Sequence, residues 1–262
     1  MSNKIVFSHA NGFPSSCYDF FFQQFVDYEI DSIPFSGKNL ANISIGWTEL
    51  RDELISFIEN KYQEPVIGLG HSMGAVFMLL AAEKKPELFK KIILMDPPIM
   101  GHGLRLSIQQ KQKEGSVHDV LSVAQKAKIR KDIFPSMELV ERVLRGKSLF
   151  QQFHPICFQD YLKGAFTILP NGKVALSFPK ELEYTIFCTI PSFEKPISIS
   201  VPVQYIFANS GEIFDSRLDG ISELEALIPS ATFTPFEGGH LFPFEKPKEV
   251  ADLVITLIKD EY

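Results

Sequence analysis

Cysteine is scarce in this chain. Its three copies, at 17, 157 and 188, are widely spaced and include no C-x-x-C pair, so neither a disulfide framework nor a zinc site is suggested. An excess of positive charge is also missing: 26 Lys and Arg against 32 Asp and Glu give a formal net charge of -6 and an isoelectric point near 5.6. Nucleic acid and anionic membrane surfaces are therefore not expected partners. No apolar run approaches the roughly 18 residues that a membrane span needs. The N-terminus enters the apolar segment Lys4-Ile-Val-Phe-Ser8 almost at once, without the long apolar stretch and small-residue cleavage site of a signal peptide. A reducing, cytoplasmic setting is the expectation. The histidines at 9, 71, 102, 118, 154 and 240 are scattered and outline no metal site, so neither metal nor cofactor is expected.

What is present is an ordinary globular composition, 45% hydrophobic and 22% charged in 262 residues. A chain of this length buries about three-quarters of its unfolded surface, in one core with an insertion or in two small domains. The stretch Pro65-Val-Ile-Gly-Leu-Gly-His-Ser72 followed by Met73 to Ala82 organises it: a short apolar run, a glycine-flanked serine, then an apolar run of helix length. Ser72 is thus expected on a strand-to-helix turn, with Gly70 and Gly74 at positions where a Cβ would clash. A dinucleotide site competes for the same residues, because Gly68-Leu-Gly70 follows a strand and Asp96 ends the next apolar strand about 20 residues on. Gly74, however, comes one residue too late for G-x-G-x-x-G.

In chain order, strand Lys4 to Ser8 leads into the turn-rich loop His9-Ala-Asn-Gly-Phe-Pro14, whose Gly12 lets the chain approach a reaction centre and present the N–H of Phe13. His9 reads as a residue that holds this loop. A helix from Ser15, a strand at 28–33, an amphipathic helix at 47–62, the serine strand and helix, and the strand Lys91 to Asp96 follow. Such alternation implies a mostly parallel sheet with helices on both faces and right-handed crossovers. It lapses from about Gly101 to Ser198, where the segments 116–130, 136–145, 155–166 and 181–188 read as helices and 173–178 as a strand. The charged run Lys126-Ala-Lys-Ile-Arg-Lys131 reads as a solvated helix face. Alternation returns with the strand Pro202 to Phe207, a helix at 216–228, the strand Ala231 to Phe236 and a closing helix from Pro247. The expected organisation is a core of residues 1–100 and 199–262 with a cap over 101–198.

Three features, in this order, resemble the α/β-hydrolase superfamily: the Gly12-Phe-Pro14 loop after the first strand, Gly70-His-Ser-Met-Gly74, and Gly238-Gly-His-Leu-Phe-Pro243 with Glu245-Lys-Pro247 before the last helix. The loop from Ser8 to Pro14 further resembles that of a bacterial subgroup of this family. The resemblance covers nearly the whole chain. It implies an α/β-hydrolase fold, a mainly helical cap, and acyl transfer to Ser72 with His240 as base and the N–H groups of Phe13 and Met73 as the oxyanion hole.

The acid departs from the superfamily pattern. After Phe207 the chain reads Ala208-Asn-Ser-Gly-Glu212, with no acid at the usual place, so Glu212 is one candidate. Asp96 is the other and the preferred one, since neighbouring strand ends lie about 5 Å apart and a carboxylate there can reach an imidazole over the serine. The expected activity is carboxylic ester hydrolysis of a small or medium apolar compound. Two alternatives stay open: cofactor-free carbon–carbon hydrolysis or peroxidation on the same triad, and a non-catalytic ligand-binding member of the fold.

Overall fold

The computed structural model describes residues 3–210 and 221–260. Its strands are β1 (Lys4–Ser8), β2 (Glu29–Ser32), β3 (Val66–His71), β4 (Phe89–Met95), β5 (Ile133–Phe134), β6 (Phe166–Ile168), β7 (Val174–Leu176), β8 (Val203–Ala208) and β9 (Ala231–Phe236). Six of them form one sheet in the order β2-β1-β3-β4-β8-β9, every neighbouring pair parallel. Parallel strands need long crossovers, and helices Thr48–Lys61 and Met73–Lys84 supply those flanking β3.

Period-two side-chain alternation explains why helices cover both faces. Val6, Ile92, Leu94 and Tyr205 point into one cluster with Leu50, Leu54, Phe77 and Met78 of the two crossover helices. Ile5, Phe7, Ile93, Met95 and Ile206 point into the other, with Tyr18, Phe21, and Val250 and Val254 of the closing helix Pro247–Lys259. Each such side chain taken fully from water contributes about 2 kcal/mol, so a sheet with two buried faces anchors the chain. No helix among the described residues is long and apolar enough to cross a membrane.

Residues 101–198 fold as six helices, the first at His102–Glu114 and the last at Lys180–Cys188, plus a small antiparallel sheet in the order β5-β7-β6. The sequence suggests only β7, within 173–178; β5 and β6 have two and three residues and are too short to show alternation. The helix expected over 116–130 is interrupted, with a 3-10 turn at Val117–Asp119 before helix Ser122–Ile129. The segment packs on both faces of the core. Ile108, Leu121 and Ile186 join the first cluster, whereas Phe134, Phe150 and Tyr161 join the second.

Candidate active site

Ser72 stands between the end of β3 and the first turn of helix Met73–Lys84, with φ 55° and ψ -120°, a strained backbone for a residue with a Cβ. Its N–H donates to the Met95 carbonyl at 2.8 Å, which fixes the turn to the end of β4. The flanking glycines are required by backbone contacts. A Cβ on Gly70 would lie 2.5 Å from the Ala75 Cα, and one on Gly74 would lie 2.1 Å from the Ser8 carbonyl oxygen.

Asp96 follows β4 in a left-handed conformation, φ 51°, and is completely buried. β4 pairs with β8, and Asp96 uses that adjacency: its N–H donates to the Ile206 carbonyl at 2.8 Å and its Oδ1 accepts the Ala208 N–H at 2.9 Å. Its Oδ2 lies 2.5 Å from His240 Nδ1, and His240 Nε2 lies 2.9 Å from Ser72 Oγ. A carboxylate only accepts, so the proton sits on Nδ1 and Nε2 is left to accept the serine hydroxyl. The His240 loop is strapped by Glu245, whose Oε2 accepts the Gly239 N–H at 3.0 Å, and by Lys246, whose ammonium donates to the Glu237 carbonyl at 2.8 Å. Of the two candidate acids, Asp96 therefore meets His240 directly. Glu212 lies outside the described residues.

The loop after β1 differs from expectation at one donor. The Phe13 N–H, read from sequence as facing the reaction centre, instead donates to the Ala10 carbonyl at 3.1 Å and closes a turn around Gly12, φ 77°. The Ala10 N–H is engaged as well, by Tyr18 Oη at 3.2 Å. Among the described residues the N–H groups of Asn11, Gly12 and Met73 carry no hydrogen bond. Turn closure around a glycine is conformational information that the residue string does not display. The Phe13 ring packs at 5.1 Å from Tyr161 and 5.3 Å from Phe244.

His9 holds this loop, as read. Its Nε2 accepts the Ser36 N–H at 2.9 Å, which leaves Nδ1 to donate to the Ala10 carbonyl at 2.8 Å. Burial pushes His9 down to about 4, with the Ala10 bond opposing. Burial, with repulsion from His240 behind it, pushes His71 down to about 3. Unfolded, each histidine takes up a proton below 6.5, whereas folded each stays neutral until near 4 or 3. Stability is therefore lost as pH falls through 6.5, and each histidine steepens the slope by about 1.4 kcal/mol per pH unit. Urea unfolding of the wild type, His9→Gln and His71→Gln between pH 7 and 5 checks this, with a flatter slope expected in each variant.

Arg130 corrects the solvated reading of its charged run. Lys126, Lys128 and Lys131 are exposed, but Arg130 Nη1 donates to Glu183 Oε2 at 2.7 Å and Nη2 to Tyr161 Oη at 2.9 Å. The Glu183 main-chain carbonyl accepts the Asn11 Nδ2–H at 3.0 Å, which joins residues 101–198 to the loop after β1. Glu183 and Tyr161 lie 53 and 31 residues from Arg130, so nothing in the local run reveals them. Arg130→Ala is expected to lower stability by about 3 kcal/mol, because it leaves the largely buried Glu183 carboxylate unpaired. The urea midpoint measures this.

Among the described residues no cluster of His, Cys, Asp or Glu is arranged to hold a metal ion. A cavity of about 280 Å3 between Ile99, Met100, Arg105, Phe193, Leu224 and Leu227 is lined by neither Ser72 nor His240. Ser72 itself is 8% exposed.

Several known proteins share this architecture. The chain is 22% identical over 234 residues to a protein of Cyberlindnera fabianii named as a probable alcohol acetyltransferase, covering 82% of this chain and 59% of that one. It is 22% identical over 188 residues to mpaH, a type I acyl-CoA thioesterase of Penicillium brevicompactum, covering 63% of this chain and 40% of that one. The chain thus spans roughly half the length of these relatives. The crystal structure of E-2-(acetamidomethylene)succinate hydrolase superposes with a TM-score of 0.74 at 15% identity, over 98% of this chain and 91% of that one. A sequence profile of the alpha/beta hydrolase fold matches residues 53–247, and the chain belongs to that family.

Proposed function

We propose that the protein is a serine hydrolase that cleaves carboxylic esters, as oxygen esters or thioesters, through an acyl-enzyme on Ser72. The observation that carries this reading is the continuous hydrogen-bond chain from Ser72 Oγ through His240 to Asp96. A serine hydroxyl is a poor nucleophile unless a base takes its proton during attack, and His240 Nε2 is within reach to do so.

In the first half-reaction Oγ bonds to the acyl carbon while its proton passes to Nε2, and the carbonyl π electrons move onto oxygen. The Met73 N–H, at the start of a helix and without another partner, faces the oxyanion together with a donor from the loop after β1. Since the Phe13 N–H is committed to Ala10, the loop donor is Asn11 or Gly12 unless that turn opens. Collapse breaks the bond to the leaving alcohol or thiol, which departs with the proton from Nε2. Water then attacks the acyl-enzyme with its proton going to Nε2, the acid is released, and Ser72 regains its proton. Asp96 stays ionised throughout, holding Nδ1–H and stabilising the imidazolium.

Residues 101–198 serve as a lid beside the loop after β1, to which the Asn11–Glu183 bond joins them. The proposed substrate keeps the apolar acyl or alcohol group of small or medium size expected from the sequence. Thioesters are included because of the similarity to an acyl-CoA thioesterase. A non-catalytic role rested on the missing acid after Phe207, and the Asp96–His240 bond weakens that ground. Nothing in the geometry favours carbon–carbon hydrolysis or peroxidation over ester cleavage.

Turnover of p-nitrophenyl esters and acyl-CoA thioesters of graded chain length tests the proposal. The wild type is expected to hydrolyse at least one series and Ser72→Ala neither. A folded wild type inert to both contradicts it.

A further inference from the structure

Four residues from distant parts of the chain meet behind the proposed base. Tyr18 Oη lies 2.7 Å from His71 Nδ1, His71 Nε2 lies 2.9 Å from the His240 carbonyl oxygen, and the Ala10 N–H points to Tyr18 Oη at 3.2 Å. Tyr18 and His71 are fully buried. Their ring neighbours are apolar or aromatic, with Phe244 4.5 Å from Tyr18 and 6.3 Å from His71. The His240 ring lies 5.3 Å from that of His71.

The direction of every bond follows from donor and acceptor inventory. The His240 carbonyl can only accept, so His71 carries its proton on Nε2. His71 Nδ1 must then accept, so the Tyr18 hydroxyl donates to it. The Tyr18 oxygen is left to accept the Ala10 N–H. The chain has one consistent polarity, from Ala10 through Tyr18 and His71 to His240, and each N–H and O–H along it is donated.

We infer that Tyr18 and His71 are positioning residues that fix the main chain of His240 and, through Ala10, the loop carrying the free Asn11 and Gly12 donors. This rests on the hydrolase reading of Ser72 and His240. Gly238 and Gly239 precede His240 and leave its backbone free, which suits a base that must sit over the serine but demands an anchor. Glu245 holds Gly239, and His71 holds His240 itself. The imidazole is thereby held at its ring by Asp96 and Ser72 and at its carbonyl by His71. A tilt of even 1 Å at such a group lowers turnover by about 100-fold.

Two readouts test this, one of them independent of turnover. Nitrogen-15 NMR of the histidine rings is expected to show His71 as the neutral Nε2–H tautomer from about pH 5 to about pH 8. The His240 Nδ1–H resonance is expected to be sharp in the wild type and broadened in Tyr18→Phe and His71→Leu. Steady-state kinetics are expected to show His71→Leu losing about 100-fold and Tyr18→Phe about tenfold in kcat, each with KM changed less than about twofold. His71→Gln, whose amide can still donate to the His240 carbonyl, is expected to recover most of the loss. The Tyr18→Phe, His71→Leu double variant should lose less than the product of the two single losses, because both break one chain.

An Nδ1–H tautomer at His71, or a sharp His240 signal in a folded His71→Leu, overturns the inference. So do equal kcat losses in His71→Gln and His71→Leu. A wild type that turns over no ester while both NMR signatures hold contradicts the hydrolase reading and leaves the positioning of His240 established.

Discussion

Asp96→Asn is expected to lower kcat for ester turnover by about 10^4-fold, the scale of the same change in other serine triads, with little effect on KM. The asparagine can keep the Ala208 N–H bond through its amide oxygen, so the fold survives. What changes lies at His240. An amide nitrogen in place of Oδ2 presents a donor to Nδ1 and favours the tautomer with the proton on Nε2, which then meets the serine hydroxyl proton instead of accepting it. Catalysis should fail through a wrong tautomer. Kinetics with a parallel thermal melt test this. A loss below about tenfold in a folded variant moves the acid elsewhere, with Glu212 first in line and Glu212→Gln the next variant to measure.

Gly74→Ala is expected to destabilise the protein by more than about 4 kcal/mol and to abolish turnover. The added methyl would meet the Ser8 carbonyl oxygen at 2.1 Å, the Ser8 carbonyl carbon at 2.3 Å and the His9 oxygen at 2.8 Å. These are backbone atoms at the end of β1, which pairs with β3 on register Ser8 to Gly70, so no rotamer change relieves the contact. Relief requires parting the elbow from β1. Because the loop after β1 carries the Asn11 and Gly12 N–H groups, the same displacement opens the proposed oxyanion site. Gly103→Ala is the control: the site has no neighbour within 4 Å and lies on helix His102–Glu114, where alanine favours the helix by about 1 kcal/mol. Urea midpoints of the two variants are expected to move in opposite directions.

Features set by backbone proximity were the legible ones. Gly70 and Gly74 stand where two chain segments touch, and strand-to-helix patterning put Ser72 between them. Asp96 could be named from its place at a strand end, because adjacent parallel strands carry their C-terminal residues to one edge. Features set by hydrogen bonds between distant side chains were not legible. His71 is separated from Tyr18 by 53 residues and from His240 by 169, and it reads in sequence only as a variable position of the elbow motif. Arg130 sits among exposed lysines, and its partner Glu183 lies on a different helix. The bond of the Phe13 N–H to Ala10 was not legible for a related reason, since which N–H a turn consumes depends on the φ of Gly12 and the placement of Ala10. Within residues 101–198, β5 and β6 are formed by pairing with β7 instead of by any pattern of their own.

The central claim is that Ser72 is a nucleophile activated by His240. Treating the folded protein with a fluorophosphonate and mapping the adduct by mass spectrometry tests it directly. One adduct is expected, on the peptide that carries Ser72, absent from Ser72→Ala and formed far more slowly in His240→Ala. A folded wild type that forms no adduct, or one whose adduct maps to another serine, contradicts the account.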